Sequence, residues 1–182
     1  MNIAHIEEHS FIYGPGCRYV IWTQGCSIRC KGCWNQSMWD FNPNLEISVP
    51  DLFNKIYTVK EHIEGITLLG GEPLDQYEET IALLRICINS GLSTMLFTGY
   101  EMDEIQLNMP EVRGLLDILI TGRYDEQKRT LHHQWIGSTN QTIHLLSDRY
   151  SNYEITNANY LEISLSEDGS FNVLGFPKEP TG

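Results

Sequence analysis

Four short apolar runs recur along the chain, and each stops at a polar or glycine-rich turn. They are 18–23 (RYVIWT), 65–69 (GITLL), 93–97 (STMLF) and 115–120 (LLDILI). Short runs that are apolar throughout and rich in β-branched residues read as buried strands. Helical patterns lie between the later ones. Over 48–63, Ser48 suits an N-cap, Pro50 and Asp51 suit the first turn, and Val49, Leu52, Ile56, Val59 and Ile63 form one stripe. Over 76–90, Asp75 and Glu78 have capping-box spacing, Tyr77, Ile81, Leu84 and Ile88 share a face, and Gly91 suits the C′ position. A shorter helix is expected near 101–107. Alternation of this kind specifies an α/β fold with a mostly parallel sheet. The loops after the strands then gather on one rim, where such folds carry their chemistry.

The remaining stretches are less patterned. Residues 3–12 alternate weakly and read as a first edge strand, followed by a turn at Gly14-Pro15-Gly16. Residues 124–135 are polar and read as a surface loop. Residues 161–175 alternate on both sides of Asp168-Gly169, a hairpin signal. A chain of 182 residues, 41% of them hydrophobic, suffices for one domain around one core.

The loop after the first of the four strands holds Cys26, Cys30 and Cys33, in C-x3-C-x2-C spacing. Three of the five cysteines thus crowd into eight residues, which favours metal or cluster ligation over a disulfide framework. Three readings compete. A structural zinc site needs four ligands, often from two paired elements, and His132-His133 is the candidate partner here. Plain buried thiols fit poorly beside Ser27, Arg29 and Lys31, which make the loop polar. Three thiolates on one side of a small volume can instead hold three irons of a cubane, leaving the fourth open to a further ligand. Cys87, flanked by apolar residues on the second helix, reads as core.

The net charge of −12 argues against nonspecific binding to nucleic acid, and gives no reason for attraction to an anionic membrane. No apolar run approaches the roughly 20 residues that span a bilayer, and residues 1–10 lack the apolar centre of a signal peptide. The expected compartment is the cytoplasm.

The cysteine spacing is the signature of the radical SAM superfamily, and the Gly70-Gly71-Glu72-Pro73 turn resembles that superfamily's GGEP motif. More narrowly, GPGCR (14–18), GCSIRCKGCWN (25–35), LLGGEPL (68–74), FTGYEMDEI (97–105) and WIGSTNQ (135–141) resemble segments of the activating proteins of anaerobic (class III) ribonucleotide reductases, in their order. The resemblance spans about residues 11–147. It implies an incomplete (β/α) barrel, a 4Fe-4S cluster on Cys26, Cys30 and Cys33, and S-adenosylmethionine as the ligand of the open iron. Reductive cleavage of that cofactor would give a 5′-deoxyadenosyl radical, which abstracts a hydrogen from a glycine of the partner reductase. Gly32, Cys33 and Trp34 match the segment that contacts S-adenosylmethionine near the cluster. Gly71 matches the close approach to its methionyl group. Glu72 either accepts from the cofactor's ammonium or braces the turn, and Thr98 and Gly99 either line the pocket or end a strand. Asn140 and Gln141 are rim contacts or a helix cap, and Cys17 sits where the family pattern tolerates other residues. Arg123, Lys128 and Arg129 either face a partner or belong to an ordinary loop. A flavodoxin or ferredoxin is the implied reductant.

On this reading residues 1–147 form the radical SAM core, and 148–182 add a C-terminal extension packed on the same domain, whose β-hairpin either adds an edge to the sheet or recognises a different partner. The competing readings are a radical SAM enzyme acting on a small molecule, such as a 7-carboxy-7-deazaguanine synthase-like enzyme, and a non-enzymatic iron–sulfur or zinc protein.

Overall fold

The computed structural model describes residues 1–165, 168, 169 and 171–175. Seven strands, β1 (Asn2–Ser10), β2 (Arg18–Thr23), β3 (Leu45–Glu46), β4 (Gly65–Gly70), β5 (Ser93–Phe97), β6 (Ile118–Thr121) and β7 (Thr142–Leu145), form one sheet in the order β3-β1-β2-β4-β5-β6-β7. The four strands anticipated from the apolar runs pair in parallel, from β2 through β4 and β5 to β6. The remaining pairs are antiparallel. The first strand is not an edge, because β3 pairs outside it through Asn2 with Glu46 and Ile3 with Leu45. At the other end no crossover helix follows β6, so β7 returns beside it antiparallel.

Alternation along each strand sends side chains to two different environments. On one face Tyr19, Ile21, Ile66, Leu68, Leu96 and Leu119 pack against the helices α1 (Val49–Thr58), α2 (Tyr77–Asn89) and α3 (Met102–Asn108), through Leu52, Ile56, Leu83, Leu84 and Ile105. Among the described residues no α-helix covers the other face. There Val20, Trp22 and Leu69 meet Tyr13 and Leu174, while Met95, Ile118 and Ile120 meet Trp135 and Tyr150. One tenant of this face, the fully buried Arg18, could not be anticipated from the apolar pattern. Its Nε donates to Thr67 Oγ1 at 3.1 Å, and its terminal nitrogens donate to Ser93 Oγ and the Ile66 carbonyl. Tyr150 Oη lies 2.8 Å from the same Ser93 Oγ and 2.6 Å from Glu64 Oε1. A buried cation is tolerable only with acceptors so arranged.

Helix boundaries differ from the sequence reading where side chains are claimed elsewhere. Ser48 caps α1 as expected, its side chain accepting from Asp51 N–H, but the helix stops at Thr58 and a 3-10 turn, Lys60–His62, follows. The Asp75–Glu78 capping box does not form. Asp75 is held by Ser27 and Tyr100, and α2 begins after a 3-10 turn, Pro73–Gln76, capped by Glu72. A capping box closes instead on α3, between Glu101 and Glu104. Ile88 is partly exposed rather than core, whereas Cys87 is fully buried as anticipated. The last parallel strand starts three residues late, because Asp117 turns back to accept from Thr94 N–H. Gly91 ends α2 at φ +84° with open space beside it. Gly91→Ala is therefore expected to lower stability by about 1 kcal/mol through backbone strain alone, read as a lower urea midpoint at unchanged slope.

Beyond β7, strands β8 (Leu161–Leu165) and β9 (Phe171–Gly175) pair antiparallel, Leu161 opposite Gly175 and Leu165 opposite Phe171. They form their own two-stranded sheet and do not extend the main one. Residues 166, 167, 170 and 176–182 of the expected hairpin extension lie outside the described residues. Among the described residues no helix is long and apolar enough to cross a membrane.

Candidate functional site

The parallel strands deliver their C-terminal ends to one rim, and a cavity of about 130 Å³ opens there. Cys26, Cys30 and Cys33 line one side of it. Gly70, Gly71 and Glu72 at the end of β4, Phe97, Thr98 and Gly99 at the end of β5, and Gly122 after β6 line the other. A larger groove of about 440 Å³ beside Met1, Phe41 and Gln76 contains none of the candidate residues.

The cysteine loop is held in place mainly by backbone. Gly25 N–H and Cys26 N–H donate to the Met38 and Trp39 carbonyls at 2.9 and 3.0 Å, and Glu72 N–H donates to the Gly25 carbonyl at 2.8 Å. A Cβ on Gly71 would lie 2.2 Å from that same Gly25 carbonyl, so the glycine is dictated by contact between two protein loops. Asp75 fastens the loop from a second direction. Its carboxylate accepts from Ser27 N–H at 2.6 Å and Ser27 Oγ at 2.8 Å, with Tyr100 Oη at 3.2 Å. Asn35 joins the loop to β4 by donating to the Gly70 carbonyl at 3.2 Å, and its N–H points at Cys33 Sγ at 3.4 Å.

Glu72 is 1% exposed and bridges two strand ends. One carboxylate oxygen accepts from Leu74 N–H at 3.0 Å and Thr98 Oγ1 at 2.8 Å, the other from Gly99 N–H at 2.8 Å. Burial nevertheless pushes its carboxyl up to about 7, against these stabilising donors. The alternative in which Glu72 braces the turn is therefore realised in geometry. Thr98 and Gly99 are its partners as well as cavity walls. Burial also raises the thiols of Cys26 and Cys30, which ligation would have to deprotonate.

The thiols fit a cluster better than a single ion. Among the described residues no group of three or more His, Cys, Asp and Glu side chains could hold a metal ion. The three cysteines stand around a cavity instead, as a group offering one iron per corner requires, and thiolates are the usual donors to such groups. The Asn35 N–H beside Cys33 Sγ is the kind of sulfur contact that tunes a cluster's potential.

Gly32 and Trp34 are not among the residues lining the cavity. Gly32, at φ +72°, packs where a Cβ would come 2.9 Å from Glu126, and the Trp34 ring lies 4.5 Å beneath the Arg129 guanidinium. The basic residues considered as facing a partner make contacts within the chain. Arg123 makes a two-pronged pair with Glu104, and Lys128 lies 3.2 Å from Asp125. Asn140 and Gln141 cap no helix, since β7 begins at Thr142. They clasp the β6 loop, Asn140 donating to the Arg123 carbonyl at 2.8 Å and Gln141 to the Gly122 carbonyl at 3.1 Å. Nor is 124–135 a plain surface loop. Trp135 is 5% exposed and stacks on Tyr153, while the amide of the buried Gln134 is matched to Tyr153 and Thr156. His133 Nδ1 lies 3.2 Å from Asn157 Oδ1, away from the cysteines' lining. Ile28, Asn35 and Tyr124 line the cavity without having been singled out in the sequence. Ile28, between the first two cysteines, and Asn35, two residues after the last, carried a local signal through the cysteine motif, whereas Tyr124 carried none.

Comparison with known proteins agrees with this geometry. The family described as a 4Fe-4S single cluster domain matches residues 12–144. The anaerobic ribonucleoside-triphosphate reductase-activating protein of Enterobacteria phage T4 is 32% identical over 149 residues, 79% of this chain and 93% of its own length. The protein of the same name from Escherichia coli strain K12 is 29% identical over 153 residues, covering 80% and 99%. The pyruvate formate-lyase-activating enzyme of Clostridium pasteurianum is 35% identical over 104 residues, covering 54% and 44%. With three cysteines on the strand-end cavity and a match of this extent, the chain belongs to the family of anaerobic ribonucleoside-triphosphate reductase-activating proteins.

Proposed function

We propose that this chain is a radical SAM activase that prepares an anaerobic ribonucleotide reductase by removing a hydrogen atom from one of the reductase's glycines. The observation that carries this reading is the shared cavity, which has the three cysteines on one side and the Gly-Gly-Glu and Thr-Gly strand ends on the other. Cys26, Cys30 and Cys33 hold the 4Fe-4S cluster. Cys33, Gly71, Glu72, Thr98 and Gly99 frame S-adenosylmethionine, while Gly32 and Trp34 act through the turn that carries Cys33. When bound, the two cofactors supply reductive cleavage of the sulfonium and hence a carbon radical able to take a glycine hydrogen.

The protein's own part is placement. Glu72 locks the ends of β4 and β5 together through Leu74, Thr98 and Gly99, and so fixes two walls against each other. Asp75 and Asn35 fix the cysteine loop to those walls. The apolar walls Ile28, Leu69 and Phe97 keep water from the reacting group. We take the open, helix-on-one-face sheet as the incomplete barrel of this superfamily, residues 1–147 as its core and 148–182 as an extension. The reductant is a flavodoxin or ferredoxin, and the place of action the cytoplasm.

Anaerobically reconstituted, reduced protein incubated with S-adenosylmethionine and the reductase is expected to give 5′-deoxyadenosine and a glycyl radical doublet in the reductase's EPR spectrum. Formation of 5′-deoxyadenosine without any protein radical would point to a small-molecule substrate and overturn the activase reading.

A further inference from the structure

We propose that β9 occupies the seat of the reductase's glycine-bearing segment, as a stand-in that the reductase must displace. The proposal rests on the activase reading above. Helices close one face of the parallel strands, so a protein segment reaches the cysteine cavity along the helix-free face. That approach is covered by the end of β9. Leu174 is buried against Tyr13, Val20, Trp22 and Leu69. Gly175 lines a small cavity whose other walls include Tyr13, Trp135 and Phe97, and Phe97 also lines the cysteine cavity. The walls of one side chain thus connect Gly175 to the chemistry.

The seat has features that suit a glycine. Gly175 sits at φ +101° and donates its N–H to Tyr13 Oη at 2.9 Å. A Cβ there would meet the Tyr160 carbonyl at 2.5 Å and Ile12 Cδ1 at 3.2 Å. The arrangement accepts an extended strand, a large apolar side chain and then a glycine fixed by its own main chain. An apolar residue followed by glycine, in extended backbone, is therefore the chemistry of the partner segment that fits.

The occupant is lightly held. β8 and β9 pair only with each other, and Leu161, Ile163, Leu165 and Phe171 are all well exposed. A two-stranded ribbon on its own is marginal. Among the described residues, Glu162 adds a tie to the body of the protein, accepting from Ser10 Oγ at 2.5 Å and Phe11 N–H at 3.4 Å. Of the seat's walls, Ile12, Tyr13, Phe97, Gln134 and Trp135 fall inside the family match, which ends at residue 144, whereas Asn159, Tyr160 and β9 itself lie beyond it.

The test uses the full reconstituted chain, two unseating variants, Leu174→Asp and Gly175→Val, and a fluorescein-labelled peptide of the chain's own residues 168–178 read by anisotropy. A tethered occupant competes at high effective concentration, so both variants are expected to bind the peptide about tenfold more tightly than the parent. The same peptide with valine for its Gly175 should not bind. Equal affinity for parent and variants, or binding of the valine peptide, would overturn the seat. The reductase is then added to the variant–peptide complex and is expected to release the peptide. A reductase that binds and leaves the peptide in place overturns the shared seat alone. A reductase that binds none of the three proteins, and gains no radical from any, overturns the activase reading itself.

Discussion

Cys30→Ala is expected to reduce iron in the anaerobically reconstituted protein from about four per chain to below about one, and to bring S-adenosylmethionine cleavage down to background. No neighbouring thiol can take over. Cys87 is fully buried under α2 with its thiol pushed up to about 12, and Cys17 precedes β2 at the end opposite the cysteine loop. Cys17→Ala and Cys87→Ala should accordingly keep their iron and their cleavage activity. Cys30 lies at the cavity wall rather than in the core, so its removal leaves the fold in place, and unchanged far-ultraviolet circular dichroism separates loss of ligation from loss of structure. Iron retained in Cys30→Ala, or lost in Cys17→Ala, would assign the ligands differently.

The parts of this fold legible in the sequence are those decided by burial on both faces of a strand. Every residue of β2 is buried, as are five of six in β4 and four of five in β5, so each appears as a short, mainly apolar run with sharp ends. The cysteines and the Gly-Gly-Glu turn were legible for a related reason, because parallel strands put their exits on one rim and the motifs sit at those exits. What stayed hidden depends on partners distant in sequence. Asp75 has the spacing of a capping residue, yet it is claimed by Ser27, 48 residues earlier, because the cysteine loop folds over the turn after β4. Gln134 and Trp135 lie in a polar stretch and look exposed, but Tyr153 and Thr156 meet them across the helix-free face. Gly71 illustrates the intermediate case: the need for glycine was readable, while its cause, the Gly25 carbonyl, was not.

Glu72 should make the apoprotein lose stability as pH rises from about 5 to about 8. Its carboxyl is fully enclosed, and desolvation raises it to about 7 from the ordinary value of 4.5, in spite of the Leu74, Gly99 and Thr98 donors. Below the lower value folded and unfolded chains are both protonated, and the group's stabilising contribution is fully present. Between the two values the unfolded chain gives up its proton to water while the folded one retains it. Stability is therefore lost as pH climbs through about 7, and the whole loss amounts to about 3 kcal/mol. Glu72→Gln removes the titration but keeps an oxygen for Leu74 N–H and Thr98 Oγ1, although its amide opposes Gly99 N–H. The stability of the parent minus that of Glu72→Gln, from urea unfolding at each pH, should thus fall by about 3 kcal/mol across the window. Other titrating groups cancel in the difference. A flat difference would mean that the carboxyl has one charge state in both forms, and that β4 and β5 are joined at their ends by an ordinary surface-like carboxylate rather than by a buried one held against its own desolvation.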